Sequence, residues 1–421
     1  MRIVLFVHSL LSDWNHGNAH FLRGVATELL SRGHDVRVYE PHDAWSLQNL
    51  LAEERGKSAL ERFYEVYPGL WSTRYTLTPN PSPRGRGEKS QQKASSSEPE
   101  FLFPKVHPSP SGRNGPAEGR GGEGLDEALD GADLVVVHEW NDHDLVRRIG
   151  AHRRRGARYR LLFHDTHHRS VTAREQMAAY DLSGYDGVLA FGNVIRDLYL
   201  GEGWAERAWT WHEAADARVF HPVEGEPREG DLVWIGNWGD EERTAELHEF
   251  LIGPVRELGL KGRVHGVRYP EEGRRALAEA GLEYAGWLPN FEVPRTFARY
   301  AVTVHVPRRP YAEALPGIPT IRPFEALACG IPLVSAPWDD AEGLFTAGRD
   351  YLVARDGEEM KRCLRDLLHD PDMAGEIAGA GRRTILDRHT CAHRVDELLA
   401  IDRQLRGIAL NSRIPMGAVM R

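Results

Sequence analysis

The sequence has few of the features that mark secreted, membrane or nucleic-acid-binding proteins. Only 3 of its 421 residues are cysteine, far apart and without metal-ligand spacing, which argues against a disulfide scaffold and fits a reducing cytoplasm. The apolar run near the N-terminus is too short to cross a bilayer. A net charge of −9 offers no basic surface for nucleic acid. We therefore expect a soluble, cytoplasmic protein with no transmembrane segment and no nucleic-acid partner; the composition does not indicate an oligomeric state.

Short apolar runs alternate with helical stretches through both halves of the chain, which is long enough for two domains. The runs Ile3–Val7 and Asp35–Tyr39, joined by a helical stretch, predict a right-handed βαβ unit at the start of a doubly wound sheet. We expect two α/β domains, residues 1–215 and 216–385. Residues 386–421 are expected to form a C-terminal helix that packs back on the first domain, followed by a tail.

Residues 76–124 differ in composition from the rest of the chain. They are rich in Pro, Gly, Ser and Arg and have almost no apolar residues. Such a stretch cannot bury enough surface to order itself, so the sequence predicts a disordered insertion in a surface loop of the first domain. A regulatory or partner-binding loop is the alternative.

The stretch Leu315–Pro337 carries the strongest local signals. Pro323 suits the first position of a helix, and Glu325 then falls in the first turn, where the helix dipole favours a carboxylate. Gly330 is typical of a helix C-terminus, and Leu333–Ser335 predicts a strand. The sequence therefore predicts a loop, a helix of roughly two turns and a buried strand.

Three arginines accompany this helix. Arg322 is at its expected start, and Arg308 and Arg309 lie shortly upstream. Free N–H groups at a helix N-terminus together with guanidiniums favour a phosphate or diphosphate. The alternative is a crossover helix of a parallel sheet that Glu325 merely caps.

The segment FEALACGIPLVSAP resembles the donor-nucleotide motif of GT-B glycosyltransferases, above all the retaining family that includes glycogen synthases and bacterial lipopolysaccharide glycosyltransferases. The resemblance implies that Glu325 holds the ribose of the donor, with Ala326 beside it. A second family glutamate faces the donor sugar eight residues earlier, where this sequence has Gly317. Contacts with the donor sugar are implied for Gly317, Ile318 and Thr320.

Outside residues 76–124, the chain resembles the CgeB-like (spore-maturation-type) branch through WNHGNAHFLRG, VWIGNWGDEER and IRPFEALACG. The resemblance implies a GT-B fold, in which two Rossmann-like doubly wound domains, an acceptor domain and a donor domain, face each other across a cleft. It further implies a retaining, metal-independent hexosyltransferase of bacterial polysaccharide or glycoconjugate biosynthesis. The enzyme would take a nucleotide-diphosphate sugar as co-substrate, need no cofactor and use an unidentified acceptor. The alternatives are a nucleotide-sugar epimerase of the same architecture and a non-catalytic sugar-nucleotide-binding protein.

Two histidines are candidate catalytic residues. His164 lies in FHDTHH, which is similar to the HD or HT found after this strand in GT-B enzymes, where the histidine lies near the reacting centre. His16 lies in a loop of amide, imidazole and glycine before the first helix. The resemblance implies retention, whereas inversion would need a general base, for which His16 or His164 would be candidates.

Other polar residues are expected at the cleft because ligands of open parallel sheets lie beyond the carboxyl ends of the strands. Asn237 follows a predicted strand of the second domain and is expected either to contact the donor or to cap. The residues expected on the acceptor side are Asn15, Gly17, Asn18, His138 and Asp165.

Three rival sites have weaker patterns. His164 and the nearby His167 and His168 allow a metal site but lack a flanking-carboxylate motif, and Asp142-His143-Asp144 matches D-x-D only formally. Glu40 ends the second strand, where dinucleotide-binding folds carry an acidic residue, but no G-x-G-x-x-G precedes it. We expect no bound metal.

Overall fold

The computed structural model describes residues 1–76 and 124–407. Apart from its two end residues, the insertion expected at 76–124 lies outside the described residues, as does the tail from residue 408 onwards. None of the helices formed by the described residues has the length and apolarity needed to cross a membrane.

The first half of the described chain builds a sheet whose strands are all parallel, in the order β3-β2-β1-β4-β5-β6-β7. The order reverses between β1 and β4, which opens a crevice at their carboxyl ends. The strands are β1 (Arg2–Phe6), β2 (Asp35–Pro41), β3 (Ser72–Tyr75), β4 (Leu134–His138), β5 (Arg160–Asp165), β6 (Gly187–Ala190) and β7 (Ala208–Thr210).

The second half builds another all-parallel sheet, in the order β10-β9-β8-β11-β12-β13. Its strand order reverses between β8 and β11. The strands are β8 (Gly230–Ile235), β9 (Gly262–His265), β10 (Leu282–Tyr284), β11 (Tyr300–His305), β12 (Leu333–Ser335) and β13 (Leu352–Val353).

Helices cover the faces of the sheets, so the central strands are apolar runs buried on both faces, as in Leu134–His138. Of these helices, α9 continues through a π-helical segment at His248–Ile252 into α10. The helices are α1 (Ala19–Ser31), α2 (Trp45–Ala52), α3 (Gly56–Val66), α4 (Leu125–Leu129), α5 (His143–Arg154), α6 (Arg169–Thr172), α7 (Arg174–Ala178), α8 (Asn193–Gly201), α9 (Thr244–Leu247), α10 (Gly253–Leu258), α11 (Glu271–Glu279), α12 (Val293–Ala298), α13 (Arg309–Ala314), α14 (Ile321–Cys329), α15 (Gly357–His369), α16 (Pro371–Arg388) and α17 (Cys391–Leu405).

The last helix, α17, packs against α1 of the first domain. A Cβ at Gly24 would lie 2.4 Å from Cys391 Sγ, so glycine is what allows the two helices to approach this closely. The chain thus crosses between the domains twice, and the crossings are joined by a parallel bridge between Ala215 and Thr390. Ala215 N–H donates to the His389 carbonyl (2.9 Å), and Cys391 N–H donates to the Ala215 carbonyl (2.9 Å).

The structure corrects two sequence-based expectations about helix boundaries. Helix α14 starts at Ile321, which makes Pro323 its third residue and places Glu325 beyond the first turn. Proline is tolerated there because the first four N–H groups of a helix have no partner inside it. The C-terminal helix expected within residues 386–421 starts at Cys391, because Thr390 is extended and caps α17 with its side chain.

Candidate active site

The carboxyl ends of the two sheets face each other across a cleft of about 780 Å³, a volume in the range of small-molecule sites. The first domain lines it with the loops that follow β1, β2, β4, β5 and β6, and the second domain with those that follow β8, β9, β10 and β11 and with the start of α14. We call the two walls the N-half and the C-half.

The loop after β1 reaches across to the C-half. Asn15 adopts a positive φ of 51° and accepts a hydrogen bond from the Asn237 amide, so both residues lie where the domains meet. Asn18 occupies the N-cap position of α1 without making a capping bond. Its amide donates instead to Glu213 Oε1 (3.0 Å). Asn15, Asn18 and Asn237 all line the cleft, as do Gly17 and His16.

Among the described residues, four guanidiniums of the C-half line the cleft, and one of them, Arg268, pairs with Asp240 (2.9 Å). Arg308 pairs with Glu242 (3.0 Å), and Arg322 pairs with Glu325. Arg243 has no carboxylate partner among the described residues; it donates to the carbonyls of Val306 (2.9 Å), Trp238 (3.3 Å) and Asn237.

Burial and the nearby Arg308 lower the pKa of Arg243 to about 9. The positive charge of this guanidinium is therefore poorly compensated in the ligand-free protein, as expected of a site that receives an anion.

Arg309, expected beside Arg308 and Arg322, does not line the cleft. Its exposed side chain turns to Glu246 (3.0 Å) and the carbonyl of Glu241 on the outside of the domain. Arg309 begins α13, so its side chain leaves the chain in a different direction from that of its neighbour.

Glu325 is fully buried and does not itself line the cleft. Its carboxylate accepts hydrogen bonds from His20 Nδ1 (2.8 Å), Asn290 Nδ2 (2.7 Å) and Arg322. His20 Nε2 accepts from Asp216 N–H (2.7 Å), which leaves the proton on Nδ1 to be donated to Glu325. Burial alone would raise the pKa of Glu325, but Arg322 and these hydrogen bonds hold it below its ordinary value.

The loop before α14 divides the residues expected to meet the donor sugar. Thr320 lines the cleft with a positive φ of 64°. Gly317 faces away: a Cβ there would lie 2.4 Å from Cγ of Glu342. Ile318 is buried against Gly192, and Ala326 is in the core. Within this group only Thr320 is placed to touch a ligand in the cleft.

His164 lies behind the cleft wall rather than on it, with its ring between Phe21 and Trp211 (centroids 5.9 and 4.8 Å away). Burial lowers its pKa to about 3. His138 is also buried; its Nδ1 accepts from Trp140 N–H (3.4 Å), so Nε2 donates to Thr166 Oγ1 (2.9 Å). Both histidines therefore support the N-half from beneath.

Asp165 likewise lies behind the wall, where it accepts from Tyr199 Oη (3.0 Å), Ser170 Oγ and His167 N–H (3.1 Å). These bonds fix the loop that presents His167 and His168 to the cleft. Burial lowers the pKa of both histidines, and it lowers that of His16 well below the ordinary value.

Sequence reasoning missed several residues that line the cleft, of which Arg243 and Glu213 matter most for its charge. Arg243 ends the VWIGNWGDEER segment, whose order of residues could have signalled it. Glu213 lies in the segment that joins the domains and is 6% exposed. Burial and the nearby Glu325 raise the pKa of Glu213 to about 8.

The rival sites have structural roles in the described chain. Asp142 caps α5 by accepting from Asp144 N–H (2.7 Å), and Asp144 pairs with Arg147. Buried Glu40 accepts from Leu10 N–H (2.7 Å) and from serine hydroxyls on either side, which holds the loop after β1. Residues 1–76 and 124–407 contain no group of three or more His, Cys, Asp or Glu side chains arranged to hold a metal ion.

Comparisons with known proteins identify the architecture. The family model described as glycosyl transferase-like matches residues 243–400, less than half of the chain. A search of curated protein sequences gave no match.

Three solved structures match nearly the whole chain. Sucrose-phosphate synthase from Thermosynechococcus elongatus is 14% identical, with 97% of this chain and 100% of that chain covered and a TM-score of 0.58. A glycosyltransferase from Rickettsia africae is 10% identical (98% and 99% covered, TM-score 0.57). Anabaena HepE, in complex with UDP-glucose, is 14% identical (95% and 100% covered, TM-score 0.59). The chain has the GT-B fold, which confirms the predicted pair of Rossmann-like domains facing across a cleft.

Proposed function

We propose that this protein is a glycosyltransferase that moves a sugar from a nucleotide-diphosphate donor to an acceptor held by the N-half. The observation that carries the proposal is the convergence of Arg243, Arg308 and Arg322 on one side of the cleft, with Arg243 lacking an anionic partner among the described residues. A diphosphate supplies the negative charge that this arrangement lacks.

The same arginines suit the chemistry of transfer. As the bond from the sugar to the diphosphate breaks, negative charge grows on the departing phosphate, and fixed guanidiniums stabilise it without reorganisation. We propose that the reaction is metal-independent because these groups supply the positive charge. Retention at the sugar carbon is implied by the resemblance and stays a prediction.

UDP is the first nucleotide to test, since HepE is described with UDP-glucose. The ribose contact implied for Glu325 also stays a prediction, because its carboxylate holds Arg322 in the ligand-free protein. The three cysteines are free thiols, and we place the reaction in the cytoplasm.

The N-half favours transfer over the alternative of epimerisation, which needs no acceptor. Trp45 and Trp140 line the cleft while remaining 46% and 39% exposed. Indole faces exposed within a polar cleft offer contact area to a second substrate. The other alternative is a non-catalytic binding protein. Release of nucleoside diphosphate from the donor in the presence of the protein would exclude it.

The test pairs neighbouring arginines. Arg308→Gln removes a guanidinium from the cleft, and Arg309→Gln removes one from the outer surface. We expect Arg308→Gln to weaken nucleotide binding about tenfold to a hundredfold, because a charge-assisted hydrogen bond contributes about 1.5–3 kcal/mol. Isothermal titration with UDP, GDP, ADP and dTDP gives the affinities.

Arg309→Gln is the matched control and should change the affinity less than about twofold, since Arg309 does not line the cleft. Equal effects of the two variants, or no binding of any of the four nucleotides by the wild type, would contradict the diphosphate site. Chelation with EDTA should leave both affinity and donor turnover unchanged.

A further inference from the structure

Glu213 stands apart from the other carboxylates of the cleft. Among the described residues, three carboxylate side chains line it. Asp13 pairs with Arg23 (2.9 Å) and Glu242 with Arg308 (3.0 Å). Glu213 has no cationic partner; one oxygen accepts from the Asn18 amide, and no described protein group donates to the other.

The position of Glu213 is set by the segment that connects the domains. Its neighbour His212 turns the opposite way and pairs with Glu342 (2.8 Å) behind the cleft. Glu213 itself points to the cleft, close enough to Arg322 and Glu325 of α14 for their charges to shift its pKa. It therefore lies between the arginines of the C-half and the loop of the N-half that carries Asn18.

The loop before α14 cannot supply a carboxylate to this space. Gly317 has a φ of 88°, and a side chain there would collide with Glu342, which is held by His212 and by Asn193 N–H (2.7 Å). Sugar hydroxyls that enter the cleft must find partners elsewhere. Asn18 Oδ1, which is buried without a hydrogen-bond partner, is one polar atom available beside Glu213.

We propose that Glu213 and Asn18 form the subsite that binds hydroxyl groups of the transferred sugar. This inference rests on the proposed function, because a diphosphate on the three arginines places the attached sugar next to Glu213. The carboxyl group and the amide together offer the mixture of donors and acceptors that a polyhydroxylated ring requires.

The protonation state fits this role. Burial raises the pKa of Glu213 to about 8, so near pH 7 the carboxyl group is mostly neutral and both donates and accepts one hydrogen bond. Above that pH it becomes a carboxylate close to the donor's diphosphate, and the two like charges repel. The groups that face it are Asn18 of α1, Arg322 and Glu325 of α14, and Tyr311 of α13.

The test measures what the sugar adds to binding. Titrations compare UDP with UDP-glucose, UDP-galactose and UDP-N-acetylglucosamine, or the corresponding compounds of whichever nucleotide the wild type binds. We expect Glu213→Ala to weaken binding of the preferred nucleotide sugar about tenfold while binding of the bare nucleotide is unchanged. Glu213→Gln, which mimics the neutral carboxyl group, should stay within about threefold of the wild type.

A pH series separates this role from a structural one. Between pH 7 and 9.5 the wild type should lose more affinity for the nucleotide sugar than Glu213→Gln does, because the amide cannot ionise and any change in the charge of Arg243, whose pKa is about 9, affects both proteins alike. Glu342→Ala is the control for the carboxylate behind the cleft; it is expected to lower the melting temperature without changing the sugar increment.

Each failure has its own reading. If the wild type binds no nucleotide, the proposed function fails. If it binds nucleotides but Glu213→Ala keeps the full sugar increment, or if no sugar adds to wild-type affinity, only the subsite is overturned. Equal losses for bare nucleotide and nucleotide sugar would mean that Glu213 acts by holding Asn18 and the fold.

Discussion

The two walls of the cleft differ in charge. The C-half presents the guanidiniums of Arg243, Arg308 and Arg322, of which Arg243 has no carboxylate partner among the described residues. The N-half presents the imidazoles of His8, His16, His167 and His168, whose pKa is lowered by burial; that of His8 falls to about 4. Among the described residues of the N-half, one guanidinium lines the cleft, that of Arg169, which is paired with Glu139 and lies 3.9 Å over the ring of Trp140.

Because of this difference, the C-half is suited to binding charge and the N-half to recognising shape. A wall of arginines binds a diphosphate strongly and with little regard for what is attached to it. A wall of neutral imidazoles and indoles offers hydrogen bonds and flat apolar surface, which suits an uncharged acceptor. In the reaction that we propose, the sugar to be transferred lies where the walls meet, at Glu213 and Asn18.

The largest expected effect concerns Glu325, the buried carboxylate that supports the C-half. Glu325→Gln removes the charge that compensates Arg322 and accepts from His20 and Asn290. Breaking such a buried pair costs about 3–5 kcal/mol. We expect the free energy of unfolding, measured with urea at pH 7, to fall by that amount.

Glu358→Gln is the control, since Glu358 is exposed and its partner Lys361 keeps a second carboxylate partner, Glu257. A loss below about 1 kcal/mol for Glu325→Gln would mean that its contacts resemble a surface pair rather than the anchor of the wall. Nucleotide affinity measured on the same variant tests the ribose role of Glu325 separately.

The next largest effect concerns the pH dependence of stability, through His8 of the N-half. The pKa of His8 is about 4 in the folded protein and about 6.5 when unfolded, so between these values the unfolded chain binds more protons. Stability is therefore lost as the pH falls from 6.5 towards 4. Urea titrations at pH 7 and pH 5 give the free energy of unfolding at each pH. We expect its decrease from pH 7 to pH 5 to be about 1–2 kcal/mol smaller for His8→Asn than for the wild type. Parallel losses in both proteins would show that His8 is not held neutral by the fold.

The smallest effect tests whether the two walls are independent. Trp140→Ala removes an exposed indole from the N-half and should change nucleotide affinity less than about twofold, because the arginines lie on the opposite wall. Trp71→Ala is a matched control, since Trp71 is 48% exposed and outside the cleft. If Trp140→Ala weakened nucleotide binding as much as is expected for Arg308→Gln, the two walls would form one binding site.

The fold was predictable because parallel strands buried on both faces appear as continuous apolar runs. The predicted strand Leu333–Ser335 matches β12 residue for residue, and the predicted runs Ile3–Val7 and Asp35–Tyr39 coincide with β1 and β2 to within two residues at each end. Strand β3 was missed, since Ser72–Tyr75 is short and largely polar. The helix expected to begin at Pro323 begins two residues earlier because proline fits the whole first turn, not only its first position.

The site was less predictable because a side chain's direction at the end of a strand or in a loop depends on packing that the sequence does not display. His164 and Asp165 follow the expected strand, yet both turn behind the wall. Arg308 and Arg309 are adjacent, yet one enters the cleft and the other leaves it. Glu213 had no local motif; its position follows from the way the two domains are joined.

That joint also determines how the protein can move. The two crossings of the chain are fastened side by side at Ala215 and Thr390, so turning about this line bends two short segments, whereas sliding or twisting one domain over the other would break their hydrogen bonds. We expect any opening of the cleft to be a swing about this line, which would break contacts across the cleft such as Asn15–Asn237. Glu213 is two residues from that axis and hardly travels during the swing. Such a swing would open the cleft to substrate and product while Glu213 keeps its position.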